Sequence, residues 1–210
     1  MATERADQRR EAGQRTRDGL LAATLELLAR HGPDGVTLRE ITDSAGANVS
    51  AVSYHFGSLK GLRDAAIEHA LERYLDAQID AVAALGAAAT VEELAAAFAR
   101  PMMLAVTAGG RELAVMRTVA RAGIEPPRGW DRLDGKFDQS RRDVLRVLSV
   151  NLPGVGEAEL VFRTRCAAGL LNWLAVAPIG AELAEMPVEL IERWLVPVVA
   201  GAFRGTSAAV

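Results

Sequence analysis

Residues 37–57 read TLREITDSAGANVSAVSYHFG, a stretch that predicts two short helices on either side of one glycine. Thr37 and Glu40 have the spacing of a capping box, in which the threonine oxygen accepts from the amide three residues on and the glutamate reaches back. The box predicts a helix that starts at Leu38 and ends at Gly46. Thr42 within it is expected to bond through its hydroxyl to a carbonyl one turn back.

The second helix of this stretch is expected to turn one face inward and the other outward. Asn48 is placed to cap it, over residues 49–56. Val52 and Phe56 lie one turn apart and are expected to pack inward against Ile41. Two short helices joined in this way form a helix-turn-helix, the arrangement that projects its second helix into the major groove of DNA.

Beyond this stretch, apolar residues recur at helical spacing almost everywhere, and no segment alternates as a strand would. We therefore expect an all-α protein. A first helix is predicted from Thr16 to His31 and a long one from Leu59 to about Gly86. The later helices are predicted over residues 90–107, 110–123, 130–151, 157–176 and 188–203. Pro197 predicts a kink or break near Arg193 and Trp194 in the last of them.

The run from Thr16 to Leu62 resembles the DNA-binding domain of the TetR family of bacterial transcriptional regulators. The residues that carry the resemblance are Leu20-Leu21-Ala22-Ala23, Leu25-Glu26-Leu27-Leu28, Thr37-Leu38-Arg39-Glu40-Ile41, Ala45-Gly46 and Ser53-Tyr54-His55-Phe56-Gly57-Ser58. The resemblance implies a helix-turn-helix domain over residues 16–63 and a helical ligand-binding and dimerisation domain over residues 64–210. The arginine-rich residues 1–15 are expected to form a flexible arm.

The same resemblance implies a repressor that a small apolar or amphipathic organic effector releases from a palindromic operator. It places a group of side chains on the surface that faces DNA. These residues are Thr37, Arg39, Asn48, Val49, Ser50, Ala51, Ser53, Tyr54, His55 and Lys60. Arginine can grip guanine or phosphate, hydroxyls can bond base edges or phosphates, and small apolar groups can touch a thymine methyl.

Some of these assignments have alternatives. Thr37 and Asn48 are caps first and phosphate contacts second, and the outer face of the helix can simply be solvated. The family usually has a lysine directly after the serine that follows Phe-Gly. Here that position is Leu59, so the phosphate contact is assigned to Lys60.

In the C-terminal region, thioethers and aromatic rings suit the lining of a pocket for organic ligands. The candidates are Met102, Met103, Met116, Trp130, Phe137, Phe162, Cys166 and Trp173. The alternative for the methionines is core packing. The surplus of apolar helix faces favours a homodimer over a monomer core, with an interface that includes Ala168, Leu171, Asn172, Leu195, Val199 and Phe203. Asn172 is expected to fix the register of that interface or to hold a ligand.

Charge and composition are compatible with these expectations. The net charge of −3 at first sight argues against a nucleic-acid partner. However, the first 63 residues carry nine Lys and Arg against eight Asp and Glu, and the remainder carries 15 against 19. The negative charge therefore belongs to the C-terminal region and does not exclude DNA as a partner.

Other classes of protein have little support in the sequence. One cysteine, Cys166, excludes an internal disulfide, and the three histidines lack zinc-ligand spacing, so we expect no metal and no cofactor. Without a membrane-spanning apolar run or a signal-peptide core, the chain is expected to be cytoplasmic. A helical enzyme and an interaction module without DNA binding stay open as alternatives, although no phosphate-binding loop or nucleophile motif is present.

Overall fold

The computed structural model describes residues 2–32, 35–124 and 131–205, and the regular secondary structure in these ranges is helical throughout, as expected for an all-α protein. The α-helices are α1 (Ala2–His31), α2 (Leu38–Ala45), α3 (Val49–Phe56), α4 (Leu59–Ala83), α5 (Val91–Ala108), α6 (Gly110–Ile124), α7 (Asp134–Asn151), α8 (Glu157–Val176), α9 (Ile179–Leu183) and α10 (Val188–Arg204). A 3-10 turn, Asp131–Leu133, precedes α7. None of the described helices has the length and hydropathy needed to cross a bilayer.

The chain divides into two compact units, Met1–Ala70 and Leu71–Val210. The boundary lies within α4, a single helix of 25 residues. The first unit contains α1, α2, α3 and the start of α4, and the second contains the remaining helices. Because α4 is continuous across the boundary, it contributes side chains to the interior of each unit.

In the first unit, α1 packs on α2 and α3 around a small apolar core. The buried members of this core are Leu20, Leu21, Ala23, Leu28, Val36, Ile41, Val52, Leu62 and Ala66. Val52 is 1% exposed, which confirms its inward orientation. Phe56 is half-buried against the same core, and its ring lies 5.4 Å from the guanidinium carbon of Arg17, a cation–π contact.

The first helix begins at Ala2, so the expected start near Thr16 is wrong. Residues 2–15 contain mainly Ala, Glu, Gln and Arg, which have high helix propensity, and no proline interrupts them. The residues expected to form an arm are therefore continuous with α1. Their polarity gave no hydrophobic periodicity from which this extension could be predicted.

In the second unit, α10 packs on α5 and α8, while α6 and α7 also pack on α8. Phe203 is fully buried, and its ring meets Phe98 edge to face with centroids 5.4 Å apart. Of the kink or break expected in the last helix, the break is absent, because α10 runs through Pro197 to Arg204. Pro197 and Arg193 are both exposed, so water can satisfy the carbonyl that the proline leaves without a partner.

The joint between α3 and α4 depends on a close backbone approach at Gly61. The amide of Gly61 donates to Ser58 Oγ at 3.0 Å, which caps α4. A Cβ built on Gly61 would lie only 2.3 Å from the carbonyl oxygen of Phe56, the last residue of α3. Any larger residue must therefore displace one helix from the other.

We expect Gly61→Ala to lower the free energy of unfolding by about 1–3 kcal/mol, because the added methyl group cannot be accommodated without moving the backbone. Thermal unfolding followed by circular dichroism measures this change. The matched control is Gly86→Ala, since a Cβ at Gly86 meets nothing within 4 Å. Equal unfolding temperatures for the two variants would show that the α3–α4 joint tolerates a side chain.

Candidate nucleic-acid interface and internal cavity

The N-terminus of α2 is held by the capping box expected from the sequence. Thr37 donates from its amide and its hydroxyl to Glu40 Oε2, at 2.8 and 2.7 Å, and the amide of Glu40 donates to Thr37 Oγ1 at 3.3 Å. These bonds from Thr37 lower the pKa of the Glu40 carboxyl, which keeps it ionised near the positive end of the helix dipole.

The turn between α2 and α3 depends on Gly46. Its φ of 60° is left-handed, a conformation in which glycine has no Cβ penalty. The next amide, that of Ala47, donates to the carbonyl of Thr42 at 3.0 Å. The Thr42 hydroxyl donates to the carbonyl of Arg39 at 3.0 Å, which confirms the expected bond one turn back.

Asn48 begins α3 in the role predicted for it. Its Oδ1 accepts from the amide of Ala51 at 2.8 Å and from the hydroxyl of Ser50 at 2.6 Å. The cap fixes the first turn of α3, and the burial of Val52 fixes the rotation of the helix about its axis. Together they determine which side chains face solvent.

The outward face of α3 is apolar and hydroxyl-bearing. Val49 is 51% exposed and Tyr54 is 84% exposed, and Ser50 and Ser53 lie on the same open surface. His55 is half-buried and meets the Tyr54 ring edge to face, with centroids 4.8 Å apart. This face offers two hydroxyl groups, a phenol and a β-branched apolar group, which are suited to base edges, phosphates and thymine methyls.

Two cations flank α3. The Arg39 Nε atom lies 3.7 Å from Asp43 Oδ2, and the Arg39 side chain is 91% exposed. Lys60, in the first turn of α4, pairs with Asp64. Ion pairs this exposed contribute little, so a phosphate or guanine can replace either acidic partner at low cost. Leu59, at the position of the family's lysine, is half-buried against the core.

The second unit contains a cavity of about 700 Å³. This volume lies within the range of small-molecule binding sites. Its wall contains Leu71, Tyr74, Leu75, Gln78, Phe98, Val119, Gly123, Ile124, Phe137, Ser140, Arg141, Val161, Thr164, Arg165, Ala168, Gly169 and Asn172. A Cβ on Gly123 would lie 2.9 Å from Asn172 Nδ2, so the glycine makes room for that amide.

Of the candidate ligand contacts, Phe137 lines this cavity. Met102, Met103 and Met116 do not; they are buried in the core of the second unit, which corrects their assignment as ligand contacts. Flexible thioethers fill gaps between packed helices as readily as they line a pocket. Trp130 lies outside the described residues.

Phe162, Cys166 and Trp173 also do not line the cavity, because their side chains are exposed and point away from the interior of the second unit. They lie on one stripe of α8 together with Gly169, at intervals of three or four residues. Phe162 is 65% exposed and Trp173 is 55% exposed. On α10, Trp194 and Val198 form a similar stripe with exposures of 51% and 54%.

The interface candidates require a related correction. Leu171, Val199 and Phe203 are fully buried inside the protomer, and Ala168 and Asn172 belong to the cavity wall. Leu195 is half-buried. The sequence did not distinguish the face of these helices that packs inward from the opposite face, because both are apolar.

The polar side of the cavity was missed at the sequence level. Tyr74 and Gln78 are one turn apart on the face of α4 that also carries Leu71, Leu75 and Val82. A tyrosine and a glutamine within an otherwise apolar helix face are a signal of a polar site, since burying such groups without partners is costly. Among the described residues, no group of three His, Cys, Asp or Glu side chains could hold a metal ion.

Comparison with known proteins agrees with this architecture. Residues 20–66 match the sequence model of the bacterial regulatory proteins of the tetR family. A transcriptional regulator from Rhodococcus sp. Rha1 is 22% identical, with a TM-score of 0.60 and 92% of this chain and 99% of that chain covered. The fatty acid degradation regulator FadR from Bacillus halodurans is 13% identical, with a TM-score of 0.69 and 91% and 97% covered.

A ketosteroid transcriptional regulator of Mycobacterium tuberculosis is 18% identical, with a TM-score of 0.55 and 88% and 93% covered. At these identities the likeness shows the fold. A search of curated protein sequences finds no significant match. The sequence match covers the helix-turn-helix of the first unit, and the likeness to these solved structures shows that the fold extends over most of the chain.

Proposed function

We propose that the protein is a homodimeric repressor that binds a palindromic operator through α3 and is released by a small organic effector. The observation that carries the proposal is the outward face of α3, where Val49, Ser50, Ser53 and Tyr54 are exposed on a helix fixed by its cap and by buried Val52. An exposed valine and a largely exposed tyrosine on so short a helix contribute little to the core, whereas both suit a groove.

Within this proposal, base edges and phosphates are contacted by four residues of α3: Val49, Ser50, Ala51 and Ser53. The DNA backbone, or a guanine at the edge of the groove, is contacted by Arg39, Tyr54, His55 and Lys60. Thr37 and Asn48 act first as caps, since the side-chain oxygens of both are engaged with backbone amides. Their contribution to DNA binding is therefore mainly to orient α2 and α3.

Dimerisation is proposed through the exposed stripes of α8 and α10. The partner-facing residues are assigned as Phe162, Cys166, Trp173, Trp194, Val198 and Gly201. An apolar stripe on each of two helices is more than a monomer usually leaves exposed, and a second copy can cover it by an isologous contact. The small residue Gly201 allows close approach of helices.

The proposed release mechanism uses α4. This helix contributes Leu62 and Ala66 to the core of the first unit and Tyr74 and Gln78 to the cavity of the second. Lys136 of α7 pairs with Glu72 and Asp76 of α4, and the Asp76 bond raises the pKa of the lysine. An effector that prefers one position of α4 over another would shift the equilibrium between operator-binding and released states.

We expect the double variant Arg39→Ala/Tyr54→Ala to lose operator affinity by roughly 30-fold or more, because it removes two contacts worth about 1–3 kcal/mol each. The measurement is a gel-shift titration with DNA from the region upstream of the gene. Arg142→Ala, which changes an exposed arginine on α7, is the matched control. Undiminished binding by the double variant would remove α3 and Arg39 from the DNA interface.

We expect Val198→Glu to convert the dimer to a monomer, because the carboxylate would be buried without a partner at the assigned interface. Sedimentation equilibrium gives the mass directly. The control is Val150→Glu on α7, where the valine is 65% exposed and outside the assigned interface. A Val198→Glu variant that stays dimeric would place the interface elsewhere.

A further inference from the structure

The polar groups in the cavity form a short hydrogen-bonded chain. Ser140 donates from its hydroxyl to Gln78 Oε1 at 3.1 Å. Gln78 Nε2 in turn donates to the Tyr74 hydroxyl oxygen at 3.2 Å and to the carbonyl of Phe98 at 3.0 Å. Both amide hydrogens of Gln78 are therefore engaged, and the amide is held in one orientation.

The end of this chain is an unused donor. The Tyr74 oxygen accepts from Gln78, but its own O–H finds no acceptor among the described residues. Burial raises the pKa of the Tyr74 phenol, so it stays protonated at neutral pH. A hydroxyl that lines a cavity and has no protein acceptor is free to donate to a ligand oxygen.

Asn172 is a second polar group of the same wall. Within the described part of the chain, its amide makes no hydrogen bond to protein atoms, and Gly123 leaves room for it. Thr164, by contrast, uses its hydroxyl to donate to the Leu160 carbonyl at 2.8 Å. The uncharged donors left for a ligand are therefore the Tyr74 hydroxyl and the Asn172 amide.

Charge is confined to the edge of the cavity. Arg141 and Arg165 border it, but both are exposed, and Arg141 pairs with Asp138 at 2.8 Å. An ion pair in water contributes little, so these residues give an anionic ligand little advantage. An anion placed deep in the cavity would instead have to lose its hydration beside neutral donors.

We propose that the cavity selects a neutral, largely apolar carbonyl compound, whose oxygen accepts a hydrogen bond from Tyr74 and which meets Asn172 with a second polar group. This inference rests on the proposed function, because it specifies the chemical class of the effector. The remainder of the wall is mostly aliphatic and aromatic, which matches a compact hydrocarbon framework.

The test uses two fluorescent naphthalenes that differ in charge. The neutral ketone 6-propionyl-2-dimethylaminonaphthalene emits at longer wavelength when its carbonyl accepts a hydrogen bond, and 1-anilinonaphthalene-8-sulfonate is anionic. We expect the full-length protein to bind the ketone more tightly than the sulfonate. Tyr74→Phe is expected to weaken ketone binding by about 3- to 10-fold, the effect of one hydrogen bond, and to shift its emission to shorter wavelength.

Two further variants locate the effect. Thr107→Val also removes a hydroxyl from the second unit, but outside the cavity wall, and is expected to leave ketone affinity and emission unchanged. Ala168→Phe fills part of the cavity and is expected to abolish ketone binding, with circular dichroism confirming that the variant is folded. Unchanged affinity and emission in Tyr74→Phe, or tighter binding of the sulfonate, would overturn the proposal.

Release from DNA is measured separately, by adding the ketone to the protein–DNA complex. Tyr74-dependent ketone binding that leaves the complex intact would support the cavity chemistry and contradict the effector-responsive role. If the sulfonate releases the protein from DNA and Tyr74→Phe does not change that release, the effector-responsive role would be supported. The proposed preference for a neutral carbonyl compound would be overturned. The two proposals therefore fail on different results.

Discussion

The free backbone amides at the start of α3 impose the constraint on which its outward face, the surface proposed to read DNA, depends. Asn48 supplies the acceptor for the Ala51 amide, and Gly46 provides the left-handed residue that lets α2 end just before it. With the first turn fixed, one buried side chain, Val52, is enough to set the rotation of a helix of eight residues. The same cap and the same valine therefore determine both the packing of α3 and its outward face.

The second unit differs from the first in that its packed helices enclose part of a cavity. Much of its apolar surface is buried by α5, α8 and α10 around Phe203 and Phe98. The helix α4, with Tyr74 and Gln78, faces the cavity. Gln78 is fully hydrogen-bonded there, whereas the Tyr74 hydroxyl keeps a donor that no described residue accepts.

The sequence was most informative where a backbone requirement limits the residue types. The Thr37–Glu40 box, the Gly46 ending, the Asn48 cap and the Thr42 bond were each predicted from residue type and spacing, and each is present. Family resemblance added the fold of the rest of the chain. These signals depend on residues that are close in sequence, so they can be recognised without knowledge of the tertiary structure.

The sequence was least informative where helices are apolar on more than one side. On α8, Leu171 and Trp173 are equally plausible interface residues by composition, yet one is buried and the other is exposed. The methionines of α5 and α6 are likewise buried in the core, although a thioether side chain suits a pocket equally well. Only the packing of neighbouring helices decides between such faces, and periodicity within one helix does not contain that information.

The central claim is that a dimer presents two α3 helices to successive turns of one face of the DNA. Hydroxyl-radical footprinting of the full-length protein on DNA from upstream of its gene tests this most directly. The account predicts two protected half-sites related by a dyad, with centres separated by about one helical turn, roughly 34 Å. Protection that lacks a dyad, or that is equally strong on DNA of unrelated sequence, would contradict it.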